Sequence, residues 1–226
     1  MIKIENTHVD NIVRAVYSAR NAMNSWDKSD SDWDTDSLGE NDLKLAKSLS
    51  KAGSDHRKFL RMINVTMDII APLYWWKEFD TYKVGTVANS CSTMHKIHAK
   101  EFEMNDFSHE HLDEIGHACL DMTVNLLNSY RTRFNENHDK NHWWQMIQLL
   151  PTSYNQMRTV QVNYETLLNI YNSRAGHKLD EWQTLREFIE TLPYFKMICI
   201  DEPKEHTCNC GGTCGGNCKC GGHHEE

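Results

Sequence analysis

Apolar and polar residues alternate most regularly along residues 59–70. The apolar set is Ile63, Val65, Met67 and Ile69, and the polar set between them is Asn64, Thr66 and Asp68. A repeat of two places the two sets on opposite faces of a β-strand. We therefore predict a strand with one buried face and one polar face. Ala71-Pro72 follows, and because proline fits the first turn of a helix, a helix is predicted over residues 73–79.

Elsewhere the apolar residues recur mainly at helical spacing. Helices are predicted over residues 8–25, 40–52, 109–134, 142–150, 163–174 and 178–191. On the longest of them one side carries Leu112, Ile115, Cys119, Met122, Leu126 and Leu127. A short strand is predicted over residues 157–162, and small or polar residues predict loops over 26–41 and 84–95. The pattern is that of a helix-rich α+β fold.

Composition narrows the class of protein. The chain has 226 residues and a formal net charge of −8, which suits one large domain and excludes a bulk attraction to nucleic acid. No stretch approaches the roughly 18 apolar residues of a membrane span, and the N-terminus lacks the apolar run of a secretory signal. A cytoplasmic location without membrane or nucleic-acid partners is expected.

Cysteine is concentrated at the C-terminus. Five of the eight cysteines fall there, at Cys208, Cys210, Cys214, Cys218 and Cys220. Gly and His surround them, few residues are apolar, and thiolates are soft ligands for zinc or copper(I). We predict a domain over residues 1–200 and a flexible Cys/His/Gly-rich tail over 201–226 that binds metal through these five thiols. The alternative is a disordered tail with redox-active thiols.

Residues 71–95 resemble the signature region of the flavin-dependent thymidylate synthases. In that family Ala-Pro leads into a helix with Arg-Gln, then Arg-His-Arg, and then a loop with Asn, Ser, Arg and Tyr. The corresponding positions here are Lys77-Glu78, Thr81-Tyr82-Lys83, Asn89 and Ser92, and Met94-His95.

Residues 150–181 resemble the C-terminal block of the same family. The matching residues are Leu150-Pro151, Asn163, Asn169, Arg174, and His177 with Glu181. The two blocks have the family's order and spacing, and together they span roughly residues 50–190. The resemblance implies a helix-rich α+β domain with a small, mostly antiparallel sheet, like the thymidylate synthase complementing proteins. It also implies a homotetramer that binds FAD and converts dUMP to dTMP with methylenetetrahydrofolate and NADPH.

The resemblance also assigns roles to residues. Arg174 and Ser92 would act as catalytic residues that orient the pyrimidine, with Asn89 beside them at the substrate. The flavin would be held by His56, Tyr82, Lys83, Asn163 and Asn169. Structural alternatives stay open: a helix-end salt bridge for Arg174, a helix N-cap for Asn163, and a structural pair at i, i+4 for His177 and Glu181.

Several arginines of the family are absent from this chain. Met94 and Glu165 replace two of them, and Ile147-Gln148 replaces another near Leu150-Pro151. Bidentate arginines bind phosphate by charge and geometry together. Two further hypotheses follow: a flavin enzyme acting on another pyrimidine nucleotide, or a non-catalytic protein on the same fold that binds a nucleotide or a metal.

Overall fold

A four-stranded antiparallel sheet forms the centre of the structure, a computed structural model that describes residues 2–200. The strands are β1 (Lys3–Asp10), β2 (Asn64–Pro72), β3 (Thr86–Ser90) and β4 (Asn155–Asn163). Their order in the sheet is β1-β2-β4-β3. The central pair keeps an unbroken register from Asn64 opposite Asn163 to Pro72 opposite Asn155. β1 and β3 are therefore the edges.

Eight α-helices surround the sheet within residues 2–200. They are α1 (Ile12–Ala19), α2 (Glu40–Lys51), α3 (Leu73–Phe79), α4 (Glu114–Asn137), α5 (Lys140–Leu149), α6 (Tyr164–Ser173), α7 (Asp180–Thr191) and α8 (Phe195–Cys199). Short 3₁₀ helices cover Arg20–Met23, Trp26–Lys28, Lys58–Met62 and Met104–Asp106. None of the helices described has the length and apolar character that a bilayer crossing requires. The predicted helix-rich α+β fold with a small antiparallel sheet is confirmed.

Two of the predicted elements were wrong. The helix predicted over residues 8–25 begins at Ile12, and β1 precedes it. Asn11 separates the two with a left-handed backbone (φ 71°), and the Asp36 carboxylate accepts the N–H groups of Ile12 and Val13. The segment 84–95 was predicted as a loop but contains β3, whose small polar residues carry no apolar alternation because this edge strand is exposed.

The main hydrophobic core lies on one face of the sheet. Val65, Met67 and Ile69 of β2 are fully buried there, and helices α1, α2, α3, α6, α7 and α8 supply the other side of this core. The opposite face is polar and open, because Thr66 and Asp68 alternate with the buried residues. The predicted strand thus has the two faces expected, although it begins at Asn64, after the 3₁₀ turn.

A second, smaller core joins the α4–α5 hairpin to residues 91–113. Its buried members are Ile97, Phe102, Phe107, Leu120, Val124, Leu127 and Met146. The side-chain amide of Asn128 fastens the segment to α4, because it bonds both the N–H and the C=O of Phe102. The apolar side predicted for α4 mostly faces outward, with Ile115 75% and Met122 63% exposed. This second region therefore leaves much apolar surface uncovered.

Candidate functional site

The end of α3 meets the end of α6 and the start of α7 at one edge of the main core. Aromatic packing brings them together: Trp75 lies 4.8 Å from Trp182 and 5.1 Å from Phe79, between ring centroids. Trp75 and Trp182 are fully buried. This packing fixes the backbone of α3 and α7 and leaves the polar side chains of the following residues at the rim.

Arg174 follows α6 and is held at this rim on three sides. Its Nη1 donates to the Glu78 carboxylate at 2.8 Å, and its Nε donates to the Tyr82 hydroxyl at 2.8 Å. The guanidinium carbon lies 4.3 Å from the centre of the Trp182 ring, in cation–π contact. The side chain is 16% exposed. The guanidinium therefore has a fixed plane and a fixed position.

Glu78 is the acceptor that organises this cluster. One oxygen, Oε2, accepts from Arg174, from the Trp182 Nε1 at 2.9 Å, and contacts the His177 Nε2 at 3.3 Å. The Nδ1 of His177 accepts the N–H of Leu179. Because Nδ1 is an acceptor, the proton of a neutral His177 lies on Nε2, toward Glu78.

An open cavity of about 700 Å³ adjoins the cluster. It is lined by Tyr74, Glu78, Gly176, His177, Lys178 and Leu179. On its wall the Tyr74 hydroxyl donates to the buried Glu181 carboxylate, and burial together with this bond raises the pKa of Tyr74. The cavity thus presents a neutral phenol, a carboxylate and an imidazole, which can hydrogen-bond the edge of a heterocyclic base.

Of the predicted site residues, the structure brings Arg174 and Tyr82 together. Tyr82 bonds Arg174 and also Ser173, at 2.8 Å between hydroxyl oxygens. The helix-end salt bridge considered for Arg174 exists as well, with Glu78 as its partner. His177 and Glu181 were predicted to share one helix face, but α7 begins only at Asp180. His177 contacts Glu78 instead.

Asn163 caps the N-terminus of α6, which is the structural alternative predicted for it. Its side-chain oxygen accepts the N–H of Thr166 at 2.9 Å and caps α6. Its amide nitrogen lies against Gly85, where an added Cβ would stand 2.4 Å from it and where φ is +75°. Only glycine fits this contact without strain. Asn169, further along α6, is exposed.

His56 and Lys83 are exposed as well. Close to His56 in the sequence, Arg57 and Arg61 both pair with the Glu165 carboxylate of α6. The bond to Glu165 raises the pKa of Arg61. Arg57 directly precedes the 3₁₀ helix Lys58–Met62, and Arg61 lies within it. Together they place two guanidinium groups around Glu165, the one carboxylate of α6.

Asn89 and Ser92 lie along the edge of the sheet. Asn89 pairs with Thr159 in β4, so its side chain shares the open face of the sheet. The Ser92 hydroxyl accepts the N–H groups of Met94 and His95, at 3.2 and 3.0 Å, and shapes a turn. Within residues 2–200 no hydrogen bond joins either residue to the Arg174 cluster.

The five predicted metal-binding cysteines, Cys208, Cys210, Cys214, Cys218 and Cys220, lie outside the described residues. Between residues 2 and 200, no group of three or more His, Cys, Asp or Glu side chains is arranged to hold a metal. The metal-binding tail stays a prediction.

Sequence reasoning missed Trp182 and the central position of Glu78. Glu78 was noted only as a departure from Gln, and Trp182 was not noted at all. The available signal was the aromatic run of α3, which required a buried aromatic partner whose indole N–H must find an acceptor.

The fold has relatives among solved structures. A structure of thymidylate synthase X (ThyX) from Helicobacter pylori with FAD and dUMP has a TM-score of 0.66 and 18% identity, covering 88% of this chain and 97% of that one. Another H. pylori ThyX structure, complexed with FAD and dUMP, has a TM-score of 0.65 and 19% identity, covering 87% and 97%. The UMP/dUMP methylase PolB from Streptomyces cacaoi, bound with 5-Br dUMP, has a TM-score of 0.51 and 12% identity, covering 74% and 75%.

At the level of sequence there is no such match. No protein-family model matches the chain, and no curated protein matches it. The chain therefore has the fold of the flavin-dependent thymidylate synthases at a sequence identity that shows the fold alone.

Proposed function

We propose that this protein is a flavin-dependent enzyme of the thymidylate synthase type. It binds FAD and reductively methylates dUMP to dTMP, with methylenetetrahydrofolate as carbon donor and NADPH as reductant. The cluster around Arg174 carries the proposal, because the residue predicted to orient the pyrimidine stands fixed beside a cavity of about 700 Å³. The three solved structures compared above contain FAD and dUMP or 5-Br dUMP.

The chemistry of the donor groups suits a flavin nucleotide. A diphosphate is met by clustered guanidinium groups, and Arg57 and Arg61 stand together around one carboxylate. The exposed amide of Asn169 and the exposed imidazole of His56 can bond the ring system or the ribityl chain. Asn163 fits less well, because its oxygen is committed to the cap of α6.

The protein's own task in this proposal is to bind and orient the reacting groups. Bound FAD supplies the hydride, and the chain positions the reacting groups around it. Arg174 donates to the carbonyl edge of the pyrimidine, and Glu78 with Trp182 holds the guanidinium in that orientation. Ser92 and Asn89 belong to the substrate site in this proposal as residues of the open sheet edge.

Self-association of the chain is part of this proposal. Ile115, Cys119, Met122 and Leu126 are exposed at spacings of four, three and four residues along α4, which is the seam of a helix that packs on another helix. We call these four residues the α4 stripe. The edge strand β3 adds exposed Val87. Both surfaces support self-association, and we propose a homotetramer.

A second candidate is the same chemistry on another pyrimidine nucleotide. Glu78 favours this candidate. Its carboxylate accepts a hydrogen bond from Arg174, and the family that the chain resembles has a glutamine at the position of Glu78. A carboxylate accepts hydrogen bonds and, unlike an amide, donates none. A base with an exocyclic amine would suit this acceptor. UMP is a further alternative, because the methylase PolB shares the fold.

The test is a visible absorption titration of the full chain with FAD, followed by dUMP. We expect bound FAD and a perturbed flavin band on adding dUMP. Arg174→Gln should keep FAD and lose the dUMP response, whereas Arg133→Gln on the exposed face of α4 should change neither. UMP and dCMP in separate arms distinguish the second candidate. If the wild-type protein binds no FAD in any arm, the proposed enzyme is wrong.

A further inference from the structure

Two segments of the proposed substrate site follow different elements of the fold. Tyr82, which bonds Arg174 at 2.8 Å, comes shortly after the end of α3. Ser92 comes shortly after the end of β3. Its hydroxyl accepts two backbone N–H groups within residues 91–95, which we call the Ser92 turn. In the proposed function both segments serve one substrate, so their relative position must be fixed.

Gln156 of β4 fastens the Ser92 turn to the sheet. Its side-chain Nε2 donates to the carbonyl of Cys91 at 2.6 Å, and the residue is buried. The N–H of Cys91 donates in turn to the carbonyl of Met157 at 2.9 Å. Cys91 lies directly before Ser92 and just beyond the last residue of β3. These two bonds therefore hold the start of the turn against β4.

Arg158 determines which way the Gln156 amide faces. The Arg158 Nε donates to the Gln156 Oε1 at 3.0 Å. A guanidinium carries no acceptor, so the amide atom that it contacts must be the oxygen. The amide nitrogen is thereby directed at the carbonyl of Cys91, which can only accept. Arg158 and Gln156 therefore act as one unit.

The end of α3 holds Arg158 in turn. Its Nη1 donates to the Asp80 carboxylate at 2.8 Å, and its guanidinium carbon lies 4.3 Å from the centre of the Trp76 ring. The Arg158 side chain is 16% exposed. Asp80 is the C-cap of α3 and stands two residues before Tyr82 in the sequence. The contacts of Arg158 and Gln156 thus connect the segment that carries Tyr82 to the Ser92 turn.

Core packing does not explain an amide at position 156. Gln156 shares the core face of β4 with Val160 and Val162, which are fully buried. Burying an amide costs free energy unless its hydrogen bonds are made, and an apolar side chain would avoid this cost. The amide is explained by the two bonds that it makes, to Arg158 and to the carbonyl of Cys91.

We infer that Gln156, oriented by Arg158, is a positioning residue of the substrate site. It acts through the carbonyl of Cys91 and sets where Ser92 stands relative to Arg174. The inference rests on the proposed function, because Ser92 and Arg174 serve a substrate only there.

The test replaces the amide of Gln156. Gln156→Glu keeps the length and the bond to Arg158, whose charge keeps the new carboxyl ionised, but a carboxylate cannot donate to the carbonyl of Cys91. Gln156→Met removes both bonds and adds no charge. The matched control is Gln145→Glu, at an exposed position of α5.

Hydrogen–deuterium exchange of the full chain, resolved by peptide, measures the attachment of the Ser92 turn. We expect the amides of residues 91–95 to exchange about tenfold faster in both Gln156 variants, because the lost bond lowers the free energy of local opening. The amides of β2 should exchange as in the wild type, and Gln145→Glu should match the wild type throughout. Unchanged exchange of residues 91–95 in both Gln156 variants would overturn the inference.

Titration of the flavin band with FAD and then dUMP measures the consequence for the substrate. Both Gln156 variants should bind FAD as the wild type does and dUMP about tenfold more weakly. A defect of the whole fold would weaken both ligands. Equal weakening of FAD and dUMP, or an unchanged dUMP affinity despite faster exchange, would therefore overturn the positioning role.

The two measurements separate this inference from the proposed function. If the wild type binds neither FAD nor dUMP, the proposed function fails and the role in substrate binding fails with it. Faster exchange in the Gln156 variants would still show that the amide holds the turn. Should neither variant fold, Arg158→Lys keeps a charge beside Asp80 but loses the planar fork that orients the amide. It should speed exchange of residues 91–95 about threefold, and unchanged exchange would again overturn the inference.

Discussion

The α3–α6–α7 junction and the α4–α5 hairpin differ in how far their large apolar side chains are buried within one copy of the chain. At the junction, the Glu78 carboxylate accepts hydrogen bonds from Arg174 and Trp182, and Trp75 and Trp182 are fully buried. On the hairpin, Ile115 and Met122 of α4 are exposed. The first region buries its large aromatic side chains within one copy of the chain, whereas the second leaves apolar side chains of α4 exposed.

The sharpest contrast is between two tryptophans. Trp182→Ala should lower the free energy of unfolding by about 3–5 kcal/mol, because it empties a fully buried site and leaves Glu78 without an indole donor. Trp144→Ala on α5 is the matched change at a side chain 42% exposed, and should cost less than about 1 kcal/mol. Urea denaturation measures both. Equal losses would mean that the hairpin is as tightly packed as the junction.

The second expected effect concerns the α4 stripe. Met122→Glu puts a charge where a second copy would pack, so the assembly should dissociate, with an affinity loss of about 2 kcal/mol or more. The unfolding of the isolated chain should hardly change, because the side chain is 63% exposed. Thr132→Glu on the same helix is the control for added charge. Analytical ultracentrifugation measures the oligomeric state. If Met122→Glu has the same oligomeric state as the wild type, the α4 stripe is not the interface.

The same contrast explains what could be predicted from sequence. The alternation around Val65 and Met67 predicted β2 because the strand has one buried face. β3 carries no such signal, because an exposed edge strand needs no apolar alternation. Arg174 was predicted as a site residue from its position in a motif. Trp182 was missed because its role comes from packing between α3 and α7, residues far apart in the chain. Glu78 was seen only as a departure, since its three donors come from such distant residues.

The third prediction tests whether Glu78 organises the junction. Glu78→Gln keeps the shape, but the amide cannot accept from Arg174, Trp182 and His177 with the strength of a carboxylate. We expect a loss of about 1–2 kcal/mol in unfolding free energy and weaker orientation of Arg174, seen as a changed dUMP response of the flavin band. Glu136→Gln, an exposed carboxylate of α4, should be neutral. If Glu78→Gln changes neither the unfolding free energy nor the dUMP response, aromatic packing alone positions Arg174.

The last prediction concerns the reactivity of the cysteines. Burial raises the pKa of the Cys199 thiol to about 12. Since the thiolate is the nucleophile, Cys199 should react with iodoacetamide roughly a hundredfold or more slowly than exposed Cys91 at pH 8. Cys119 is also exposed in one copy of the chain, but it belongs to the α4 stripe. Raising the protein concentration should therefore slow Cys119 relative to Cys91.

Peptide mass spectrometry resolves each cysteine separately, so the thiols of the tail do not interfere. Met122→Glu should restore the reactivity of Cys119 at high protein concentration, because the stripe is then uncovered, and should leave Cys91 and Cys199 as they were. Urea should bring all three to similar rates, which controls for intrinsic reactivity. If the ratio of the Cys119 rate to the Cys91 rate is the same at every protein concentration, no second copy covers the α4 stripe. Self-association would then require another surface of the chain, such as the exposed edge strand β3.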